Sequence, residues 1–214
     1  MSLSNAPRLI KCGIAVIDPT KSGVERVIPL QYNPEKLTRS LQPRDMGADA
    51  PLSERMRLTG PPIETISVEA RIDAIDALER GDVLALQNGI ANHLAALELL
   101  ISPSSASLLT NNGLSDRGEL EILPMEQKLS LFIWSRNRVL PVRITQLSVT
   151  EEDFDPNLNP LRATVTMALR VLTVDDLGFD DRGGALFINH LIRKEALANA
   201  FPAGALNTLG VGSL

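Results

Sequence analysis

Apolar and polar residues alternate with a period of two along much of this chain. In "TISVEARID", Ile66, Val68, Ala70 and Ile72 fall on one side, and Thr65, Ser67, Glu69, Arg71 and Asp73 on the other. That is the pattern of a strand with one buried and one wet face. "ATVTMALRVLT" repeats it, with Val165, Met167, Leu169 and Val171 opposite Thr164, Thr166, Ala168 and Arg170. Further strands are predicted over 9–17, 25–32, 36–42, 128–135 and 139–150, with "RNR" at 136–138 turning the last two into a hairpin. Within 139–150 the apolar phase slips near Gln146, because Val142 and Ile144 are out of step with Leu147 and Val149. A β-bulge produces such a slip.

The period changes once in the middle of the chain. Val83, Leu86, Ile90, Leu94, Leu97 and Ile101 are spaced as one stripe of a helix, with Asp82 placed to cap its start and Pro103 to stop it. A helix this apolar beside half-wet strands is expected to cover one face of the sheet, leaving the other face polar. That Thr/Ser/Glu/Arg face is either simply solvated or the lining of a water-filled channel closed by several copies. Residues 103–127 read as a Ser/Asn/Gly-rich loop of unusual length. "VDDLGFDDRGG" reads as an acidic turn, 184–200 as a second helix, and "FPAGALNTLGVGSL" as a small-residue tail without periodicity. The expected fold class is α+β, mainly an antiparallel β-barrel or sheet with one covering helix. The chain divides into a β domain over 1–175 and a C-terminal helix and tail over 176–214.

Composition narrows the function classes. At 214 residues with 44% hydrophobic and 22% charged residues the chain is ordinary globular material. A net charge of −5 gives no basic footprint for nucleic acid. The N-terminus lacks the basic and apolar regions of a secretory signal, and no stretch has the roughly 18 apolar residues of a membrane span, so a cytoplasmic origin is expected. The single cysteine, Cys12, lies in an apolar alternating stretch and reads as a core thiol. His93 and His190 lie on predicted helices without a second ligand at metal spacing. "DRGGAL" lacks the Lys-Ser/Thr of a phosphate loop. The acidic runs Glu151, Glu152, Asp153, Asp155 and Asp175, Asp176, Asp180, Asp181 lack the ligand order of a calcium loop. No active site, metal or cofactor is expected.

Two segments carry a resemblance. "LQYNPEKLTRSLQ" and "VLPVRITQLSVTEEDFDPNLNPLRATVTMALRVLT" (139–173), with "GPPIETISVEARIDA" and "DALERGD…HLAALELLISP" between them, resemble the tube-type domain of contractile injection systems, the phage-tail-like machines in which a sheath drives an inner tube. The likeness spans about residues 8–175, and the two Asx-Pro signatures occur in the family's order. It implies a hexameric ring of β-barrel subunits at the baseplate end of the inner tube. The ring's partners would be the spike, the tube protein and the baseplate or sheath components of the same particle, with no nucleic acid and no membrane insertion. Related adaptors carry a lysin motif after this domain; nothing after residue 175 reads as one.

In such a ring, Asn33-Pro34 and Asp155-Pro156 with Asn159-Pro160 would fix the projecting turns, since proline locks φ and removes a donor. Lys36, Arg39 and Arg44 would meet a neighbour's acids, for instance Glu151, Glu152 and Asp155. The rival reading is a soluble carbohydrate- or peptide-binding β-sandwich module whose polar sheet face is its ligand site.

Overall fold

The alternating segments form strands of a single sheet, and the slip in their pattern is a break in its ladder. The structure, a computed structural model, describes residues 10–17, 23–45, 57–116, 127–202, 204 and 206–209. The expected strand start at residue 9, the stretch 117–126 and parts of the C-terminal tail lie outside these. In chain order the elements are β1 (Gly13–Ile17), β2 (Val24–Pro29), β3 (Leu37–Asp45), β4 (Leu58–Asp73), α1 (Ile75–Glu79), α2 (Val83–Asn88), α3 (Ala91–Glu98) and α4 (Ser105–Asp116). There follow β5 (Leu129–Ser135), β6 (Arg138–Phe154), β7 (Pro160–Val171), α5 (Val174–Leu177) and α6 (Arg182–Asn199). The fold is α+β. Seven strands, all antiparallel, take the order β2-β1-β5-β6-β7-β4-β3, with β2 and β3 at the two edges.

The register between β6 and β7 shifts between Ile144 and Gln146, where the sequence pattern slips. Thr145 is the extra residue, and its hydroxyl donates to the Ala168 carbonyl at 3.1 Å. The bulge lets Val142 and Ile144 on one side of it, and Leu147 and Val149 on the other, all pack on the main core. That core takes Ile66, Val68, Ala70 and Ile72 from β4 and Val165, Met167, Leu169 and Val171 from β7, the residues that alternation selects.

The covering helix departs from expectation. One stripe from Val83 to Ile101 predicts one helix, but the chain forms two, broken at Gly89 with φ 57°. A Cβ there would lie 2.1 Å from the Pro160 carbonyl oxygen, which instead accepts from the Ile90 N–H at 2.9 Å. The first residue of β7 is thus seated in the helix break, and only glycine admits it. The stripe divides accordingly: Ile90, Leu94 and Leu97 are buried, whereas Val83, Leu86 and Ile101 are exposed. Asp82 does cap, its carboxylate accepting from the Leu84 N–H at 2.9 Å. The stretch 103–127, expected as loop, holds helix α4, whose first turn is capped by Ser104 accepting from the Ser107 N–H at 3.1 Å. Serine and asparagine read as loop formers, and here the serine acts at the cap.

The other face of the sheet is not uniformly open. On β1 all five residues are buried, and Ala15, Ile17 and Leu131 form a second cluster with Leu129, Ile133, Val139 and Leu186 of α6. Phe187 of the same helix joins the main core. The β1–β5 part of the sheet is therefore covered on both sides, and only the β4–β7 part keeps the one-sided pattern.

Candidate functional site

The link between β2 and β3 places the first expected site residues. Leu30 is fully buried, and its N–H donates to the Cys12 carbonyl. Asn33 then replaces a strand neighbour with its side chain: its Oδ1 accepts from the Cys12 N–H at 2.9 Å and its Nδ2 donates to the Ile10 carbonyl at 2.8 Å. Gln31 holds the end of β4 in the same two-handed way, accepting from the Asp73 N–H at 2.8 Å and donating to the Asp73 carboxylate at 3.3 Å. Pro34 follows without a donor, so the ladder stops and the chain crosses toward β3.

This link rims a groove of about 1050 Å³ on the polar side of the sheet. Asn33, Pro34 and Lys36 line it from the link, Glu69 and Arg71 from β4, and Glu152 from β6. Four residues expected at a subunit contact, Asn33, Pro34, Lys36 and Glu152, are thus brought together in one chain. Tyr32 also lines the groove, and the Asp73 carboxylate, as hydrogen-bond acceptor, holds its phenol above the ordinary value.

Arg39 and Arg44 have partners in their own chain. Arg39 sits opposite Ile66 in the β3–β4 register, on the core side, and its Nε lies 2.6 Å from Glu64, which is only 5% exposed. A carboxylate taken out of water needs such a cation. Arg44 reaches Asp175 at 2.6 Å in an exposed pair. Lys36 is exposed and, among the described residues, has no ion-pair partner.

The second signature folds into a self-contained turn. The Asp155 carboxylate accepts from the backbone N–H groups of Asn157 at 2.7 Å and Asn159 at 2.8 Å, and from Asn159 Nδ2 at 2.8 Å. These bonds to the charged form hold its carboxyl below the usual carboxylate range, the Asn159 side chain contributing most. Asn159 Nδ2 also donates to the Gln87 carbonyl at 3.0 Å, tying the β6–β7 tip to the end of α2. Leu158 is left-handed at φ 65° and projects into solvent. "DPNLNP" therefore reads, in the chain's own terms, as a hairpin stop docked on the helix break. Glu151 and Glu152 lie exposed just before it, and Asp153 pairs with Arg162 at 2.7 Å.

Between the groove and the Arg170–Asp176 pair (2.8 Å), the open face carries short hydroxyls. Thr38 and Ser40 pair in register with Ser67 and Thr65, Glu69 and Arg71 with Thr166 and Thr164, and Ser148 and Thr150 with the same two threonines from the other side. It is a continuous polar surface across four strands, and β3, at its edge, has no second strand neighbour among the described residues.

Among the described residues no three His, Cys, Asp or Glu side chains stand where they could hold a metal ion, and no helix is long and apolar enough to cross a membrane. Cys12 is buried, and burial raises its thiol pKa, as for an inert core cysteine. His93 Nε2 and both ring nitrogens of His190 are buried without a well-formed hydrogen bond. Burial holds both imidazoles below their ordinary value, and the Lys194 charge lowers His190 further. Two surfaces have no counterpart in the sequence reading: the exposed apolar side of α2, and the far half of α6, exposed from Ile192 to Ala200. The stripe that starts at Val83 hides the first, and no sequence pattern says how much of a helix its sheet covers.

No family model matches this sequence, and no curated protein does. Among solved structures the chain is similar to one in the tail of an empty GTA particle with C6 symmetry, at 12% identity over 75% of this chain and 90% of that one, with a TM-score of 0.30. It is also similar to a chain in the virion of a native gene transfer agent particle, at 10% identity over 76% and 95%, with a TM-score of 0.27. At such values neither likeness adds to what the chain's own residues say.

Proposed function

We propose that this protein is a structural component of a contractile injection system, forming a ring at the baseplate end of the inner tube that joins the spike to the tube. The observation that carries the reading is the open face of β3, β4, β7 and β6, lined by short hydroxyls and ending at β3, which has no second strand neighbour among the described residues. A sheet that is wet on one face and free at both edges completes its ladders when identical copies join edge to edge around an axis, and the wet faces then line a shared lumen. The "YNPEK" and "FDPNLNPLRA" signatures supply the family; Asn33-Pro34 and the Asp155–Pro160 turn supply the rigid ends between which copies meet. Arg39 and Arg44 already hold acids of their own chain, so Lys36 is the cation left at that edge for a neighbour's carboxylates.

The test is native mass. A hexamer, seen as rings in negative stain, supports the proposal, and a monomer at every concentration refutes it. Within that reading, copy number per particle separates an adaptor (one ring) from the main tube (many). The binding-module reading is favoured by one observation, the groove of about 1050 Å³ with Tyr32 on its wall. A stable monomer with a saturable sugar or peptide ligand would establish it instead.

A further inference from the structure

The two ends of the long β6 strand differ in charge, and both expose apolar side chains. Helix α6 starts beside β5: a Cβ on Gly183 would lie 3.2 Å from the Leu129 side chain. It runs along the sheet until Arg193 Nη1 donates to the Arg136 carbonyl at 2.7 Å, in the β5–β6 turn. The closing turns of the helix, from Ile192 to Ala200, are exposed throughout. They carry Ile192, Leu197 and then Phe201, all well exposed, the last by 79%. Arg193 and Lys194 lie on the same stretch, with Arg136 in the turn that Arg193 touches, and none of the three makes an ion pair among the described residues.

The opposite end of β6 is 17 residues away, on the order of 50 Å along the strand at about 3.3 Å per residue. There Phe154 and Leu158 are exposed on the hairpin tip, the latter by 79%, and Val83, Leu84 and Leu86 on the adjoining α2. Glu151, Glu152, Asp153 and Asp155 stand at the tip against Arg162, which pairs with Asp153 and lies opposite Glu152 in register, so the tip keeps a net negative charge. One end is apolar with a basic rim, the other apolar with an acidic rim. Solitary soluble proteins bury or disperse such patches.

We propose that these ends are the two halves of one interface, and that the occupant of each is a second copy of this chain. The exposed half of α6 docks on the hairpin tip and α2 of the next copy, head to tail. Ile192, Leu197 and Phe201 supply the apolar contact. Arg193 and Lys194 face Glu151 and Glu152. A heterologous contact of this kind closes into a ring when its rotation permits and otherwise continues as a filament. Its α6 half uses no residue of the β2 and β3 edges; its acidic half includes Glu151 and Glu152, which the ring reading also offers to Lys36 of a neighbour.

The test uses charge reversal on the full chain. Glu151→Lys with Glu152→Lys reverses one end, and Arg193→Glu with Lys194→Glu reverses the other; all four residues are exposed, and circular dichroism checks the fold. Sedimentation velocity should show each double variant associating at least tenfold more weakly than the parent. An equimolar mixture should regain association, because each variant's altered end then meets a complementary one. An Arg193→Glu with Lys194→Glu variant that associates like the parent, or a mixture that stays as weak as its parts, overturns this contact while leaving ring closure through strand edges intact, because those two residues take no part in the edges. A parent chain that never associates overturns both.

Discussion

The β1–β5 part of the sheet and the β4–β7 part are built from the same alternating grammar but end differently. In the first, Phe132 and Ile14 face the main core while Ala15, Ile17 and Leu131 face Leu186 on the opposite side, so both faces are dry. In the second, Val165 and Met167 are buried while, on the other face, Thr166 is exposed and Thr164 half-buried at the groove. The contrast teaches that the uncovered face is not a shortage of covering material, since α6 is long enough to reach further. The closing turns of that helix, from Ile192 to Ala200, are exposed instead.

The sharpest way to break the comparison is to truncate one side chain on each part. Phe132→Ala should lower stability by about 3–5 kcal/mol, through lost burial and the cavity left behind. Thr166→Ala should change it by less than about 0.5 kcal/mol, because it removes an exposed hydroxyl. Urea midpoints at unchanged slope decide this. Equal effects would mean that the hydroxyl face is packed against something.

At the seam between core and edge, Arg39→Ala should cost about 3 kcal/mol by leaving Glu64 charged and unpaired in a buried place. The double variant Arg39→Met with Glu64→Leu should recover most of that loss. A single variant as stable as the parent would show that Glu64 reaches water on its own.

The hairpin stop sets a smaller effect. Asp155→Ala removes an acceptor shared by Asn157 and Asn159 and should lower stability less than the Phe132 and Arg39 variants do. The loss should be local, read as faster amide exchange at the tip with the β4 and β7 amides unchanged.

The gentlest effect is with pH. His93 and His190 bind protons less readily folded than unfolded, because burial disfavours the imidazolium. Stability should therefore be full above the ordinary histidine value of about 6.5 and decline as pH falls toward the lowered folded-state value, levelling beneath it. The pair His93→Gln and His190→Gln should flatten this decline in thermal melts taken across that window.

Much of this architecture was legible because a period of two allows little choice. Ile66 through Ile72 and Val165 through Val171 select their own buried face, and the slip at Gln146 marks a bulge that the ladder confirms. The helix stripe misled for a physical reason. Gly89 breaks it to seat the Pro160 carbonyl, a contact 71 positions away that no local spacing encodes. The site was legible unevenly. Asn33, Pro34, Lys36 and Glu152 were expected at a contact between copies and line one groove within a single chain, whereas the Arg39–Glu64 pair follows from the β3–β4 register, and charge in a sequence does not say which acid it will meet. The opposed charge of the two ends of β6 was out of reach, because Arg136 and Arg193 become neighbours only when α6 docks.

The central claim is that Thr65, Ser67, Thr164 and Thr166 face a pore held in common by several copies. A density map of the assembled particle, at a resolution that separates strands, tests it most directly. The account predicts copies of this chain in a closed ring with those four residues turned to the axis. The same strands turned outward, or a particle that lacks the chain, would contradict it.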